Sequence, residues 1–290
     1  MVQESLERVG VVGLGNIGFP IAETLVNAGF SVTAHDIREE PREKFESVGG
    51  TSVESPAEVA EASQIVHILV ATEEQVDEVI FDESGVLSGF ESGGGDGVII
   101  INCTILPQRV VSFAERTPDE VTVVDAAVSG GSSGAKTGSL AVMVGGDETD
   151  ENVAFVEPAL EAIAKQIYYL GELGAGLVAK ITNNSILYAG ASATLEALEV
   201  GEEYGIDRDQ LLEIYGKSTG NNYFVQNYHD YLIRESSPLD ARGRARRYRE
   251  ITHRYLTITR DLEISVPVGG VVSQEYPELV RETITRLEND

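Results

Sequence analysis

The sequence predicts an α/β fold, in which a doubly wound parallel sheet is followed by an all-helical C-terminal domain. The N-terminal part alternates short Val- and Ile-rich runs with amphipathic segments, a pattern typical of repeated βαβ units. A glycine-rich turn joins the first of these strands to the first helix. Beyond Gly171, long segments without Gly or Pro breaks replace the alternation. We therefore expect two domains, residues 1–171 and 172–290, joined by a long interdomain helix.

Composition limits the class of protein before any motif is considered. At 290 residues, 42% of them hydrophobic, the chain is long enough for two domains with buried cores. No apolar run approaches the roughly 18 residues that a membrane span needs, and the N-terminus lacks a secretory pattern. The one cysteine, Cys103, excludes an internal disulfide, and the four histidines show no paired ligand spacing. We expect a cytoplasmic protein that holds no metal and binds no membrane.

The charge balance is strongly acidic. The chain has 48 acidic and 21 basic residues, which gives a net charge of -27. Such a surface repels nucleic acid, so a nucleic-acid partner is not expected. The acidic residues are spread along the chain, as on a folded surface. Acid-rich, lysine-poor surfaces are similar to those of proteins from halophilic organisms, whose charge repulsion is screened only at high salt.

The first strand, turn and helix carry the most specific local pattern. A Val-rich run from Arg8 leads into a glycine turn, an apolar-periodic helix ends at Gly29, and the next strand, SVTAH, is followed by Asp36. This complete unit is far more specific than a glycine motif alone. It predicts a Rossmann-type fold that holds a dinucleotide pyrophosphate at the helix N-terminus. A tight turn that binds no nucleotide is the less favoured alternative.

The acid at the end of the second strand bears on the choice of cofactor. A carboxylate there accepts hydrogen bonds from the ribose hydroxyls of NAD and repels the 2′-phosphate of NADP. Asp36 therefore favours NAD, while Arg38, two residues on, leaves NADP open. The candidate cofactor-binding residues of this unit are Gly13, Leu14, Gly15, Asn16, Ile17, Gly18, Asp36, Ile37 and Arg38.

The alternation of strands and helices continues downstream. Strands are predicted at 65–70, 98–101 and 121–125, a helix at 75–80, and a loop at 91–97. His67 lies within a strand and is interpreted as a hydrogen-bonded core histidine. Cys103 follows the next strand and is interpreted as a packing residue rather than a nucleophile. In such a sheet, ligands bind at the carboxyl ends of the strands.

The segment from Gly171 to Tyr204 opens with three glycines and then predicts one long helix, in which Gly190 and Gly201 are the only weak points. Lys180 and Asn184 are one turn apart near its start and project from the same face. Most helical lysines are solvated, but this one lies in a largely apolar turn of a chain with only five lysines. The positive end of the helix dipole lowers the pKa of an amine, which suits a group that transfers protons.

A turn of small residues follows the strand predicted at 121–125. Ser129, Gly130 and Gly131 offer a hydroxyl and backbone N–H groups that could hold a carboxylate. A glycine-rich connection shaped only by turn geometry explains the same residues equally well. The residues alone leave both interpretations open.

Three motifs, in order along the chain, resemble those of the β-hydroxyacid dehydrogenases, a family that includes 3-hydroxyisobutyrate dehydrogenase and tartronate semialdehyde reductase. They are GLGNIG from Gly13, DAAVSGG from Asp125 leading to MVGG from Met143, and GxxGxGxxxKxxNN from Gly171. The resemblance extends from Arg8 to the region of Asp261. It implies NAD- or NADP-dependent interconversion of a short β-hydroxy acid and its semialdehyde, by a homodimer or homotetramer.

The resemblance also implies roles for single residues. Lys180 would be the catalytic general acid/base, and Asn184 a ligand of the anionic hydroxy-acid substrate. The turn at Ser129, Gly130 and Gly131 would bind the substrate carboxylate. Further cofactor-binding positions implied in this way are Val70, Ala71, Thr104 and Arg260.

The chain departs from the family pattern at several positions. Val70-Ala71 replaces Leu-Pro, Ile101 replaces an acid, and Arg260 replaces lysine. A planar guanidinium can hold a carboxylate or phosphate through two parallel hydrogen bonds, which an ammonium cannot. Cys103 stands where the family has serine, and Ala127 where it has proline.

The C-terminal part contains two further predicted helices, at 207–215 and 277–287, with a basic stretch at 241–254 between them. Its arginines either pair with acidic residues of a neighbouring subunit or domain, or form a rim that attracts anionic substrates. Two other functions are alternatives: an imine reductase-like enzyme of the same fold, and a non-catalytic dinucleotide-binding regulatory protein. Relatives of both kinds usually lack the lysine, so Lys180 disfavours both.

Overall fold

The computed structural model describes residues 8–146, 149, 151–232 and 240–287. The chain divides into two compact units, Met1–Lys180 and Ile181–Asp290. The first unit is built on a sheet with helices around it, and the described part of the second is helical. The division falls inside one long helix, about two turns after that helix begins.

An eight-stranded sheet forms the centre of the first unit. Its strands are β1 (Arg8–Val12), β2 (Ser31–His35), β3 (Thr51–Ser52), β4 (Ile65–Ile68), β5 (Gly97–Ile101), β6 (Val121–Ser129), β7 (Leu140–Gly145) and β8 (Ala164–Tyr169). They lie in the order β3-β2-β1-β4-β5-β6-β7-β8. Neighbouring strands are parallel except β6 and β7, which are antiparallel. The predicted doubly wound sheet is confirmed.

The helices of the first unit alternate with these strands, as the sequence predicts. They are α1 (Gly18–Asn27), α2 (Glu39–Ser47), α3 (Pro56–Glu61), α4 (Glu73–Phe81), α5 (Val86–Gly93), α6 (Pro107–Arg116), α7 (Gly131–Lys136) and α8 (Glu151–Ile163). Local capping signals fix several starts. Thr72 and Gln75 form a capping box at the start of α4, and Ser55 accepts the backbone N–H of Glu58 at the start of α3.

The central strands of the sheet are buried on both faces. Along β5, Val98 and Ile100 pack in one apolar cluster with helix α1, while Ile99 and Ile101 pack in a second cluster with α5 and α6. Because side chains alternate along a strand, a strand that is apolar throughout must be covered on both sides. This is why the central strands read as continuous Val/Ile runs.

The carboxyl ends of the central strands are level with one another. Val12 of β1 pairs with His35 of β2 and with Ile68 of β4, and Ile68 pairs with Ile101 of β5. The chain runs outward from β1 to β3 and then returns to β4 on the other side of β1. The strand order therefore reverses between β1 and β4, which is where doubly wound sheets bind ligands.

Three boundary predictions are wrong. The loop predicted at 91–97 begins only after α5 ends at Gly93, where Gly94 and Gly95 take positive φ angles of 132° and 101°. Strand β6 continues four residues past its predicted end, to Ser129. The last helix begins at Pro267 rather than Pro277, because burial of a side-chain stripe on either side of Pro277 outweighs the proline penalty.

The second unit is a helical bundle in its described part. The long helix α9 (Ala175–Glu203) enters it and is followed by α10 (Arg208–Lys217), α11 (Tyr223–Gln226), α12 (Tyr228–Leu232), α13 (Ala241–Asp261) and α14 (Pro267–Leu287). Aromatic side chains fill its core: the ring of Tyr188 stacks on Tyr276 at 4.9 Å and meets Tyr248 edge-on at 5.6 Å. Among the described residues, no helix has both the length and the apolar character to cross a membrane.

Candidate active site

The glycine turn after β1 contains glycines of two kinds. Gly13 has φ 99°, and a Cβ there would lie 2.6 Å from the carbonyl oxygen of Leu69. A Cβ at Gly18 would lie 1.8 Å from the carbonyl oxygen of Gly13. Packing within the chain thus requires both glycines. A Cβ at Gly15 would meet no atom within 4 Å, so nothing inside the protein requires that glycine. The open space beside it is what a closely approaching pyrophosphate needs.

Asp36 joins the end of β2 to the glycine turn. Its carboxylate is 7% exposed and accepts the backbone N–H of Leu14 at 2.8 Å. The guanidinium of Arg38 donates to both carboxylate oxygens, from Nε at 2.9 Å and from Nη2 at 3.1 Å. Burial alone would raise the pKa of Asp36, but the bonds from Arg38 and Leu14 hold that pKa below its ordinary value. Arg38, which the sequence left open as a phosphate ligand, is therefore engaged by Asp36.

The other predicted cofactor residues near this turn lie at the same edge of the sheet. Asn16 is exposed, and Ile17 occupies the position before α1 without a capping side chain. Ile37 is 86% exposed, an unusual state for so apolar a side chain. Val70 follows β4 and lies beside Gly13, since a Cβ on Gly13 would be 3.4 Å from its Cγ1.

Two more of the implied cofactor positions follow the central strands. Ala71 comes after β4 and donates its backbone N–H to Oε1 of Gln75 at 2.9 Å. Thr104 follows β5 and is half-buried. The level strand ends place both at the edge that carries the glycine turn.

The turn of small residues lies at the end of β6. Ser129 is the last residue of the strand, and the next two residues have positive φ, 130° at Gly130 and 66° at Gly131. Only glycine adopts these angles without strain. The short helix α7 that follows is tied to α1, because Oγ1 of Thr24 donates to the carbonyl oxygen of Ala135 at 2.8 Å. The turn therefore has a fixed place beside the glycine-turn helix.

Lys180 lies in the second turn of α9 and is half-buried. Burial lowers the pKa of its amine to about 8. No carboxylate of the described residues forms an ion pair with it. The predicted direction of the pKa shift is thus supported, but its cause is loss of solvent rather than the helix dipole. Asn184, 7% exposed, is one turn further along the same helix.

Asp125 makes contacts that the sequence did not predict. It lies inside β6 with 0% exposure. Its Oδ1 accepts the backbone N–H of Gly174 at 2.6 Å, and its Oδ2 accepts that of Leu177 at 2.9 Å. The signal was an acid within an otherwise apolar strand, which must be satisfied by distant donors.

A buried histidine adjoins the strand ends. His67 is 0% exposed, and its Nδ1 lies 2.8 Å from Oδ1 of Asn102, whose Nδ2 donates to the carbonyl oxygen of Ala126 at 2.7 Å. Burial lowers the pKa of His67 to about 4, so the ring is neutral at physiological pH. Its Nε2 has no partner among the described residues, so the expected core histidine is only half satisfied. The described residues contain no cluster of His, Cys, Asp or Glu suited to a metal ion.

The basic stretch proves to be heterogeneous. Arg244 is buried and donates to the backbone carbonyl oxygens of Leu232, at 2.6 Å, and Tyr231, so it stabilises the bundle. Arg249 pairs at 2.6 Å with Glu278 of α14, within the same unit. Arg260 is exposed in the last turn of α13, and its cofactor role stays a prediction.

Two family models together match nearly the whole chain. The NAD binding domain of 6-phosphogluconate dehydrogenase matches residues 8–171. A second model, NAD-binding of NADP-dependent 3-hydroxyisobutyrate dehydrogenase, matches residues 174–288. The chain belongs to the β-hydroxyacid dehydrogenase family. The resemblance seen in the motifs is confirmed, and so is the expectation of an NAD(P)-dependent dehydrogenase.

Individual members of the β-hydroxyacid dehydrogenase family are similar over most of their length. L-threonate dehydrogenase of Cupriavidus necator is 32% identical, over 81% of this chain and 78% of that protein. 3-Hydroxyisobutyrate dehydrogenase of Pseudomonas aeruginosa is 31% identical, over 77% of this chain and 74% of that protein. The crystal structure of 3-hydroxyisobutyrate dehydrogenase from Salmonella typhimurium has a TM-score of 0.84, over 96% of this chain and 99% of that one. At 22% identity, that structure supports the fold alone.

Proposed function

We propose that the protein interconverts a short β-hydroxy acid and its semialdehyde, with Lys180 as the general acid/base. The observation that carries the proposal is the half-buried amine of Lys180, whose pKa burial lowers to about 8. An amine with that pKa gains and loses a proton readily near neutral pH. A solvated lysine, with a pKa of about 10.4, would stay protonated.

In the oxidation, each group of the chain has one task. NAD(P), when bound, supplies the acceptor for the hydride that leaves the carbinol carbon. The neutral amine of Lys180 takes the hydroxyl proton as the carbonyl bond forms, and in the reduction its ammonium returns that proton to the carbonyl oxygen. Such proton transfer contributes roughly 10²–10⁴ in rate. Asn184, one turn along the same helix face, holds the substrate, and Ser129, Gly130 and Gly131 hold its carboxylate.

The proposed cofactor site lies at the carboxyl ends of the central strands. The space at Gly15 suits the pyrophosphate, Asp36 the ribose hydroxyls, and the exposed side chain of Ile37 the apolar face of the adenine base. Because Asp36 is a carboxylate that already holds Arg38, NAD is the preferred cofactor. Residues 1–171 would form the cofactor-binding domain, in which the turn at Ser129 also contacts the substrate carboxylate. Residues 172–290 would form the helical domain for the substrate and for a second copy of the chain. The remaining proposed cofactor contacts are Val70, Ala71, Thr104 and Arg260.

A small substrate panel tests the proposal. 3-Hydroxyisobutyrate, L-threonate and L-serine are assayed with NAD and with NADP at about 2 M KCl, a concentration that screens surface charge. We expect at least one of these acids to be oxidised, with NAD preferred. Lys180→Ala should reduce kcat by at least about a hundredfold and leave NADH binding intact.

A matched control is available in the same unit. Lys136 is an exposed lysine of α7, so Lys136→Ala should leave kcat unchanged. Turnover of a cyclic imine but of none of the acids would instead favour the imine reductase alternative. Near-normal kcat in Lys180→Ala would remove Lys180 from the chemistry.

A further inference from the structure

The carboxylate of Asp125 connects two segments that are far apart in sequence. Asp125 pairs in register with Ile101 and so lies level with the carboxyl ends of the central strands. Its two oxygens accept one backbone N–H each, from Gly174 and from Leu177. These donors lie 49 and 52 residues later, just before and within the first turn of α9. A helix cap normally comes from the adjoining residue, whereas this one comes from the sheet.

The surrounding chain is shaped to hold this carboxylate. A Cβ at Gly145 of β7 would lie 1.9 Å from Oδ1 of Asp125. A Cβ at Gly176 of α9 would lie 2.8 Å from Oδ2 and 2.2 Å from the carbonyl oxygen of Met143. Any other residue at either position would displace the carboxylate or the helix. These two glycines therefore allow the first turn of α9 to approach the sheet closely.

Burial of this acid needs an explanation beyond stability. Among the described residues no arginine or lysine pairs with Asp125, and burial raises the pKa of its carboxyl group while the N–H groups of Gly174 and Leu177 oppose that rise. An unpaired buried charge costs free energy that an apolar side chain of similar size would avoid. A carboxylate can orient the start of the helix, because each of its oxygens accepts a backbone N–H group there. An apolar side chain cannot do this.

We propose that Asp125 is a positioning residue that sets the place of Lys180 relative to the substrate carboxylate. Lys180 follows Leu177 by about one turn of α9, and the turn at Ser129 begins four residues after Asp125 on β6. One side chain therefore ties the helix that carries the base to the strand that carries the carboxylate turn. The inference rests on the proposed role of Lys180 and assigns to Asp125 no contact with the substrate.

A double-mutant cycle tests the coupling. Asp125→Asn keeps the size of the side chain but turns an NH₂ group toward a backbone N–H. We measure kcat in four enzymes: unaltered, Asp125→Asn, Lys180→Ala, and the double variant. All rates are expressed per NADH-binding site, determined by fluorescence titration. The expected result is a loss of about tenfold or more when Lys180 is present and almost no further loss when it is absent.

Rescue by a free amine gives an independent readout. Ethylamine added to the Lys180→Ala enzyme is not tied to α9, so its rescued rate should be the same with Asp125 and with Asn at that position. A purely structural role for Asp125 would lower the rescued rate as well. Asp207→Asn is the control, because Asp207 caps α10 through the N–H of Gln210 at 3.1 Å and should leave kcat unchanged.

The outcomes separate the two proposals. Equal losses from Asp125→Asn in both Lys180 backgrounds overturn the positioning role and leave the proposed function standing. Full activity of Lys180→Ala overturns the general base itself. If Asp125→Asn does not fold, Asp125→Ser takes its place in the same cycle, because the smaller hydroxyl can accept a backbone N–H and adds no atom beside Gly145 or Gly176. The expected and contrary results are then the same.

Discussion

An ionisable side chain is shielded from water at the end of β2, where Asp36 lies, and at the start of α9, where Lys180 lies. Of these two, only Asp36 has an opposite charge beside it in the described part of the chain. Asp36 accepts hydrogen bonds from Nε and Nη2 of Arg38, and its pKa lies below the ordinary value. Lys180 has no such partner among the described residues, and burial lowers its pKa to about 8. A paired group keeps one charge across the physiological range, which suits binding. An unpaired buried group changes its charge within that range, which suits proton transfer.

The largest expected effect is the pH dependence of the reaction. Oxidation needs the neutral amine of Lys180, so kcat/KM for the hydroxy acid should rise with pH and level off above about 8. Two pH units below that pKa, it should be roughly a hundredfold lower than the plateau. Reduction needs the ammonium and should fall as pH rises through the same value. Initial rates in both directions, across the stable pH range, check this. Parallel profiles in the two directions would contradict it.

Removing the paired acid should change the choice of cofactor by a smaller factor. Asp36→Ala removes the charge that opposes a 2′-phosphate and frees Arg38 to meet one. The ratio of kcat/KM with NADP to that with NAD should rise about tenfold, the effect of about 1.4 kcal/mol. Glu54→Ala is the control, because Glu54 pairs with Arg42 of α2 at 2.5 Å but does not lie at the end of β2. A similar rise in both variants would show that general charge, not Asp36, sets the preference.

Burial of the unpaired amine of Lys180 should make the free energy of unfolding depend on pH. The folded pKa of Lys180 lies below its unfolded value, so the unfolded chain binds more protons between the two and stability rises with pH there. Below about pH 8, the folded protein bears the full free-energy cost of burying the charged ammonium of Lys180. Lys180→Met should therefore stabilise the protein at pH 7 by about 1–3 kcal/mol, and by less near pH 10.

Urea unfolding at the two pH values measures this difference. Lys136→Met replaces an exposed lysine and should change the free energy of unfolding by less than about 0.5 kcal/mol. A loss of stability in Lys180→Met would mean that the amine makes a favourable contact in the folded protein.

The smallest expected effect concerns the surface charges. The chain has 48 acidic and 21 basic residues, which leaves a net charge of -27. The mutual repulsion of the acidic residues is screened by salt, so Tm should rise by a few degrees between about 0.1 M and 2 M KCl. Scanning calorimetry at the two concentrations checks this. A flat response would show that the acids are too dispersed to repel one another.

The sequence predicted what depends on neighbouring residues and missed what depends on distant ones. The glycine turn and Asp36 follow from spacing within one βαβ unit, and the structure places them together. The bonds of Asp125 to α9 cross 49 and 52 residues, and no local pattern announces them. In the sequence, Arg244 cannot be told apart from the exposed arginines beside it. It is buried because its guanidinium donates to carbonyl groups at the end of α12. Periodicity predicts which face of an element is buried, but not which distant residues contact that face.

The close fit around Asp125 also affects how this chain can be recombined with its relatives. Asp125, Gly145 and Gly176 lie on β6, β7 and α9. The carboxylate of Asp125 occupies the space that a side chain at either glycine would need. A chimaera that takes its sheet from one parent and its long helix from another must inherit a compatible set of all three. Single substitutions at these positions should be poorly tolerated, whereas compensated double substitutions can survive. Crossover points for domain exchange are therefore better placed within α9 beyond Lys180 than in the glycine-rich approach to it.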